Sequence, residues 1–172
     1  MRRHFFSWLG CGLLALGGVG CAAYRLGPTN GAVAQARSVQ VRFFQNQTQE
    51  PRLVEAVAAA LRKTLQQDGT YRLSTQGDAD VVVTGVITRF DRMGLSYQPT
   101  DVITARDYRV SLYARVTAIE RMTGKTNLQR EVIGRTTIRV GNDLASAERQ
   151  AVPLLAEDLA RNVTSLLVDG DW

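Results

Sequence analysis

The chain has 172 residues, with 21 Lys and Arg against 16 Asp and Glu, one histidine and a net charge of +5. That length holds one domain with its own core and is short for two. No run of basic residues is interleaved with stacking aromatics, so the positive balance does not point to nucleic acid as a partner.

Met1, Arg2, Arg3 and His4 form a basic start, residues 5–19 an apolar stretch, and Gly18-Val19-Gly20-Cys21 its close. This is the architecture of a bacterial lipoprotein signal peptide, with residues 1–20 removed and Cys21 acylated. The stretch is shorter than the ~20 residues that span a bilayer and is interrupted by Gly10, Gly12, Gly17 and Gly18. Cleavage before Cys11 would leave an apolar segment below the usual ~7 to 15 residues, so Cys21 is the expected lipid attachment site. Each buried methylene of an acyl chain contributes about 0.8 kcal/mol, enough to hold a multiply acylated chain on a membrane. Ala22 stands where aspartate would signal inner-membrane retention, which favours the outer membrane.

Cleavage also removes chemistry. The mature chain carries 19 basic and 16 acidic residues, a net +3, and loses both His4 and Cys11. With Cys21 lipidated, no Cys/His metal site, thiol nucleophile or histidine triad can be built. Asp78 with Asp80, and Glu157 with Asp158, are not spaced as two facing carboxylates, and Gly141-Asn142-Asp143 reads as a turn into a helix, not as a phosphate loop. A non-enzymatic protein that needs no cofactor is expected.

Residues 21–37 read as a lipidated tether and 38–172 as a single domain. Val39, Val41 and Phe43 alternate with Gln40 and Arg42 as a half-buried strand. After a polar loop, Pro51 suits a first helical turn, and Leu53, Val57, Leu61 and Leu65 predict an amphipathic helix over 50–67 that Asp68-Gly69 stops. A short strand at 71–74 follows, and then one at 80–92 whose Val81-Val82-Val83 run suggests cover on both faces. Residues 94–101 read as a loop.

Tyr108, Val110, Leu112, Ala114, Val116 and Ala118 alternate strictly with Arg109, Ser111, Tyr113, Arg115 and Thr117, a clear strand signal. Thr123-Gly124-Lys125 predicts a hairpin turn into a return strand over 127–140, with Val132, Thr136, Ile138 and Val140 on one face and Arg135, Thr137 and Arg139 on the other. The last helix, about 145–167, places Val152, Leu155, Leu159, Val163 and Leu166 on one side, with Pro153 as a kink or late start. The expectation is an α+β two-layer sandwich, a mixed sheet with two helices on one face in the order β-α-β-β-β-β-α.

The ordered set Cys21 with Tyr24-Arg25-Leu26, Val41, Phe43, Asn46, Thr48, Glu50 and Pro51, then Leu61, Leu65 and Gly69 before Tyr71-Arg72-Leu73, resembles the lipopolysaccharide-assembly lipoprotein family, LptE. Ala79-Asp80-Val81-Val82-Val83-Thr84-Gly85, Thr123-Gly124-Lys125 and Ala156-Glu157-Asp158-Leu159-Ala160 extend the resemblance over nearly the whole mature chain. It implies a two-layer domain, lipid-anchored and facing the periplasm, that plugs a large outer-membrane β-barrel of the LptD type, the translocon that inserts lipopolysaccharide.

Two helices on one face leave the other open. Arg109, Tyr113 and Arg115, facing Arg135, Thr137 and Arg139, would form a basic, hydroxyl-rich surface for acidic groups of the barrel or phosphates of lipopolysaccharide. The loop with Asn46, Thr48, Glu50 and Pro51, and Lys125 at the hairpin tip, are the other expected contacts. The alternative, a periplasmic lipoprotein regulating or scaffolding cell-wall synthesis or a secretion pore, would need longer reach, since a tether of about sixteen residues spans at most ~55 Å.

Replacing Cys21 with serine should abolish acyl labelling and leave an uncleaved or mislocalised precursor. Mass spectrometry that finds a lipid-free mature terminus elsewhere would remove the anchor.

Overall fold

A computed structural model describes residues 33–98, 101–141 and 143–170. The signal segment, Cys21 and the tether up to residue 32 lie outside the described residues, as does Asn142.

Eight elements follow in order: β1 (Arg37–Val41), β2 (Gln45–Asn46), α1 (Leu53–Asp68), β3 (Tyr71–Leu73), β4 (Val81–Gln98), β5 (Asp101–Glu120), β6 (Thr126–Arg139) and α2 (Leu144–Val168). They build one mixed sheet of order β3-β1-β4-β5-β6, with β2 paired to β4 beyond the end of β1. β1 is parallel to β3 and to β4, as the crossover through α1 requires, and β4, β5 and β6 form an antiparallel meander. Apart from the two-residue β2, which carries too little pattern to be read, this is the expected order.

Both helices lie on one face. Leu53, Val57, Leu61 and Leu65 of α1 and Leu155, Leu159, Val163 and Leu167 of α2 are buried against Val39, Val81, Val83, Ile87, Leu112, Ala114 and Val116 of the sheet. Leu167, rather than the expected Leu166, completes the α2 stripe, and Leu166 is only partly buried. α2 runs unbroken through Pro153, which stands on the exposed side, so its start is not delayed. Asp143 caps it by accepting from the Ala145 and Ser146 N–H groups, each at 3.0 Å. Tyr71 ties β3 to the far end of α2 by donating its hydroxyl to the Leu167 carbonyl, and burial pushes its phenol up to about 12.

Four further expectations are corrected. Residues 94–101 are not a loop: β4 continues to Gln98 and β5 starts at Asp101, so the hairpin overhangs the sheet as a two-stranded ribbon. The alternation of β1 ends at Val41, where the chain bulges before β2. Phe43 is therefore 73% exposed and Phe44, at 3%, is the buried ring. Gly85 leaves the space, since a Cβ there would collide with that ring. Val81 and Val83 are fully buried, but Val82, on the other face, is only half-buried, so this strand is covered on one side. Pro51 precedes the N-cap residue Arg52 instead of entering the first helical turn.

Gly134 on β6 is the point of closest approach between the layers. A Cβ there would meet the Leu155 carbonyl oxygen and lie 2.8 Å from the Leu159 nitrogen, both backbone atoms that cannot rotate away. Gly134→Ala should therefore destabilise the domain by ~1–3 kcal/mol as an overpacked contact. Leu159→Ala, which empties a fully buried site beside it, should cost ~2–5 kcal/mol. Thermal unfolding followed by circular dichroism reads both, and an unchanged melt in either variant would place α2 differently.

Candidate functional site

The face opposite the helices is set by the pairing register. Along β5 the odd-numbered residues from Asp107 to Thr117 point away from the helices, and each lies beside a residue of β4 and one of β6. Row by row these are Thr84, Thr117 and Gln129; Val86, Arg115 and Glu131; Arg89, Tyr113 and Ile133; Asp91, Ser111 and Arg135; Met93, Arg109 and Thr137. Asp107 and Arg139 close the row beyond.

The expected arginines Arg109, Arg115, Arg135 and Arg139 thus share one face and are all exposed. They do not stand opposite one another. Arg109 faces Thr137, Arg115 faces Glu131, Arg135 faces Ser111 and Arg139 faces Asp107. This stagger removes the like-charge penalty of directly opposed arginines, ~0.2–1 kcal/mol per pair. A fifth, Arg89 of β4, was not foreseen from the sequence. Its guanidinium lies 3.9 Å from the centroid of the Tyr113 ring and its Nε is 2.9 Å from Asp91. A register shift between Ile87 and Arg89 puts it on this face, and strict alternation from Val83 would have pointed it to the helices.

Two of the five are committed to carboxylates, Arg89 to Asp91 and Arg139 to Asp107. Arg109, Arg115 and Arg135 make no ion pair among the described residues. Planar guanidinium groups with unclaimed donors suit carboxylates and phosphates, which accept two parallel hydrogen bonds.

The other expected residues lie apart from this face. Lys125 sits in the exposed turn between β5 and β6, at the opposite end of the sheet from the ribbon, with its N–H donated to Thr123 Oγ1. Asn46 and Thr48 spend their polar groups on their own turn. Asn46 Nδ2 donates to the Glu50 carbonyl at 2.8 Å, and its Oδ1 accepts from both the N–H and the hydroxyl of Thr48. They shape the loop, which Gln47 N–H anchors to the Ile87 carbonyl, and Pro51 follows it into α1. The Glu50 carboxylate carries no ion pair among the described residues.

The acidic pairs are structural. Asp80 accepts from Ser38 N–H and hydroxyl, both at 2.7 Å, which joins β1 to the start of β4 and holds its carboxyl below the usual range. Asp78 accepts from the Ser74 hydroxyl, Glu157 pairs with Lys63 between the helices, and Asp158 pairs with Arg161. Among the described residues no cluster of His, Cys, Asp or Glu is suited to a metal, and no helix is long and apolar enough to cross a membrane.

The sequence profile of the LptE family, described as lipopolysaccharide-assembly, matches residues 36–167. This chain belongs to the LptE family. Like other members it is a non-catalytic, lipid-anchored lipoprotein of the outer membrane that faces the periplasm, and membership implies association with an outer-membrane β-barrel and with lipopolysaccharide. Among curated proteins none matches the sequence. The fold is similar to that of the hypothetical protein CT253 from Chlamydia trachomatis, at 12% identity and a TM-score of 0.54, covering 77% of this chain and 96% of that one. It is also similar to protein XCC0632 from Xanthomonas campestris, at 11% identity, TM-score 0.52 and coverage of 85% and 92%. A minor lipoprotein from Acinetobacter baumannii matches at 12% identity, TM-score 0.51 and coverage of 77% and 93%.

At the ribbon end of the LptE face, Asp107 is held below the usual carboxylate range by Arg139, whose Nε donates at 2.8 Å, and then by the Ser96 hydroxyl. A carboxyl lowered in the folded state contributes stability above its unfolded value, ~3.9, and loses it as the pH falls through the folded value. The Asp107 carboxyl carbon should therefore titrate below an ordinary aspartate by NMR. Arg139→Gln should move that midpoint upward, and an unmoved midpoint would show that Arg139 is not the cause.

Proposed function

We propose that this LptE protein, anchored through lipid on Cys21, occupies the lumen of the β-barrel translocon that inserts lipopolysaccharide, with its arginine-bearing sheet face toward the barrel wall or the phosphates of lipopolysaccharide. The observation that carries this reading is the asymmetry of the domain. Both helices cover one face of the sheet, while Arg109, Arg115 and Arg135 stand exposed and without ion pairs among the described residues on the other. None of them is needed for the core, so their clustering supports a binding surface.

The surface around them is mixed, not uniformly basic. Tyr113 and Ile133 are half-buried at its centre, Met93 is 56% exposed at one end, and Glu131, Asp91 and Asp107 interrupt the positive charge. Such a face suits a protein wall that offers acidic, hydroxyl and apolar groups together, with phosphate as a ligand for the three uncommitted guanidinium groups. Lys125 and the loop carrying Asn46, Thr48, Glu50 and Pro51 extend the proposed contact to the end and one side of the sheet.

The double variant Arg115→Glu with Arg135→Glu tests the face. It should remain folded, because exposed charges are worth ~0–1 kcal/mol each. It should lose most recovery of the barrel, of lipopolysaccharide, or of both when each is pulled down separately from detergent-solubilised outer membrane. The wild-type signal should weaken as salt is raised, since screening acts on exposed charges. Full recovery of both ligands by a folded double variant would return this face to ordinary solvated surface.

A further inference from the structure

Besides the overhanging ribbon and the outer side of β3, the sheet leaves the edges of β6, of β1 beyond β3 and of β4 beyond β2 without a strand among the described residues, and the protein treats these three differently. At β6 two side chains of α2 reach over the edge. Asp158 Oδ2 accepts the Arg135 N–H and Asn162 Nδ2 donates to the Ile133 carbonyl, both at 2.8 Å. On the far side, beyond the end of β3, Ser74 N–H takes the Val39 carbonyl and Arg62 of α1 donates to the Val41 carbonyl at 3.3 Å. Helix side chains thus occupy outward-pointing peptide groups on two of the edges, one way in which a sheet blocks the addition of foreign strands.

The third stretch is open. β2 accompanies β4 only as far as the bond from Gln47 N–H to the Ile87 carbonyl, after which the turn held by Asn46 and Thr48 carries the chain away into α1. With the register shift after Ile87, the outward-pointing peptide groups of β4 become those of Phe90 and Arg92, because their partners Leu112 and Val110 turn theirs toward β6. No backbone hydrogen bond reaches Phe90 or Arg92 from this side among the described residues. Beside them runs a groove of about 450 Å³, lined by Gln47, Thr48, Glu50, Phe90, Arg92 and Glu148.

We propose that this groove receives an extended segment of the barrel partner, which adds to the sheet along Phe90 and Arg92 in the line that β2 begins. The inference rests on the barrel-plug reading and makes it more specific. An extended peptide is the occupant whose chemistry fits, since it alone supplies N–H and C=O groups at the ladder spacing of the two free residues. Charge selects within that class. Arg92 is paired with Glu148, whereas the half-buried Glu50 is without an ion pair among the described residues, so the segment carries a lysine or arginine to meet it.

The test uses the full lipidated chain co-purified with its barrel. Hydrogen–deuterium exchange of peptides spanning residues 88–94 should slow at the Phe90 and Arg92 amides in the complex relative to the free protein. Arg92→Pro removes one outward N–H and fills its approach without breaking a bond to β5, and Arg92→Ala controls for the lost ion pair. Barrel recovery should fall roughly three- to tenfold in Arg92→Pro relative to Arg92→Ala, the worth of about one backbone hydrogen bond. Glu50→Lys should lower recovery in the same direction. A complex that forms with both amides exchanging as in the free protein overturns the strand-addition site and leaves the barrel reading standing. Failure of the wild-type chain to recover any barrel overturns both.

Discussion

The contact of α2 with β6 at Gly134 is the constraint from which the rest of the molecule follows. With no side chain at that position, the helix backbone comes down onto the strand, and Leu155, Leu159 and Val163 reach the core directly beneath it. α1 then packs against both α2 and the parallel half of the sheet, and Tyr71 fastens β3 to the last turn of α2. Because the whole helical layer is drawn to one side, every second residue of three long strands is left facing outward. The arginine-bearing face is in this sense a by-product of how the core closes.

What the sequence made legible was decided by pattern length. β5 alternates over enough residues that its two faces could be assigned from Val110 to Ala118, and both helices carry repeated leucines at helical spacing. The four arginines of the exposed face could be placed for the same reason. The failures fall where a local signal competes with long-range pairing. Residues 94–101 read as a loop, yet cross-strand bonding carries β4 to Gln98. A bulge moved Phe43 outward and Phe44 inward, and a second one brought Arg89 onto the arginine face. Neither bulge leaves a mark in composition.

Register was the least legible quantity and matters most to the site. Alternation states which residues share a face but not which stand side by side, and a two-residue slip between β5 and β6 would set arginine against arginine. The observed register instead offers Glu131 to Arg115, Asp107 to Arg139 and a hydroxyl to each of Arg109 and Arg135. Equally hidden were the side chains that shape edges. Asp158 and Asn162 look from the sequence like the solvated side of a helix, and Asn46 and Thr48 like exposed polar contacts, whereas all four are engaged with backbone groups.

The overhanging ribbon of β4 and β5 gives the domain a lever. Beyond the pairing of Asp107 with Arg139 no third strand accompanies it among the described residues, and Leu95 and Tyr97 remain 41% and 52% exposed on it. At its base Asp107 takes Ser96 from the ribbon and Arg139 from the end of β6 at the same time, beside the backbone bond from the Val140 N–H to the Arg106 carbonyl. The ribbon and the arginine face thus share a side-chain contact as well as two continuous strands. Protonating the Asp107 carboxylate would remove the ion pair with Arg139 and leave the backbone ladder in place.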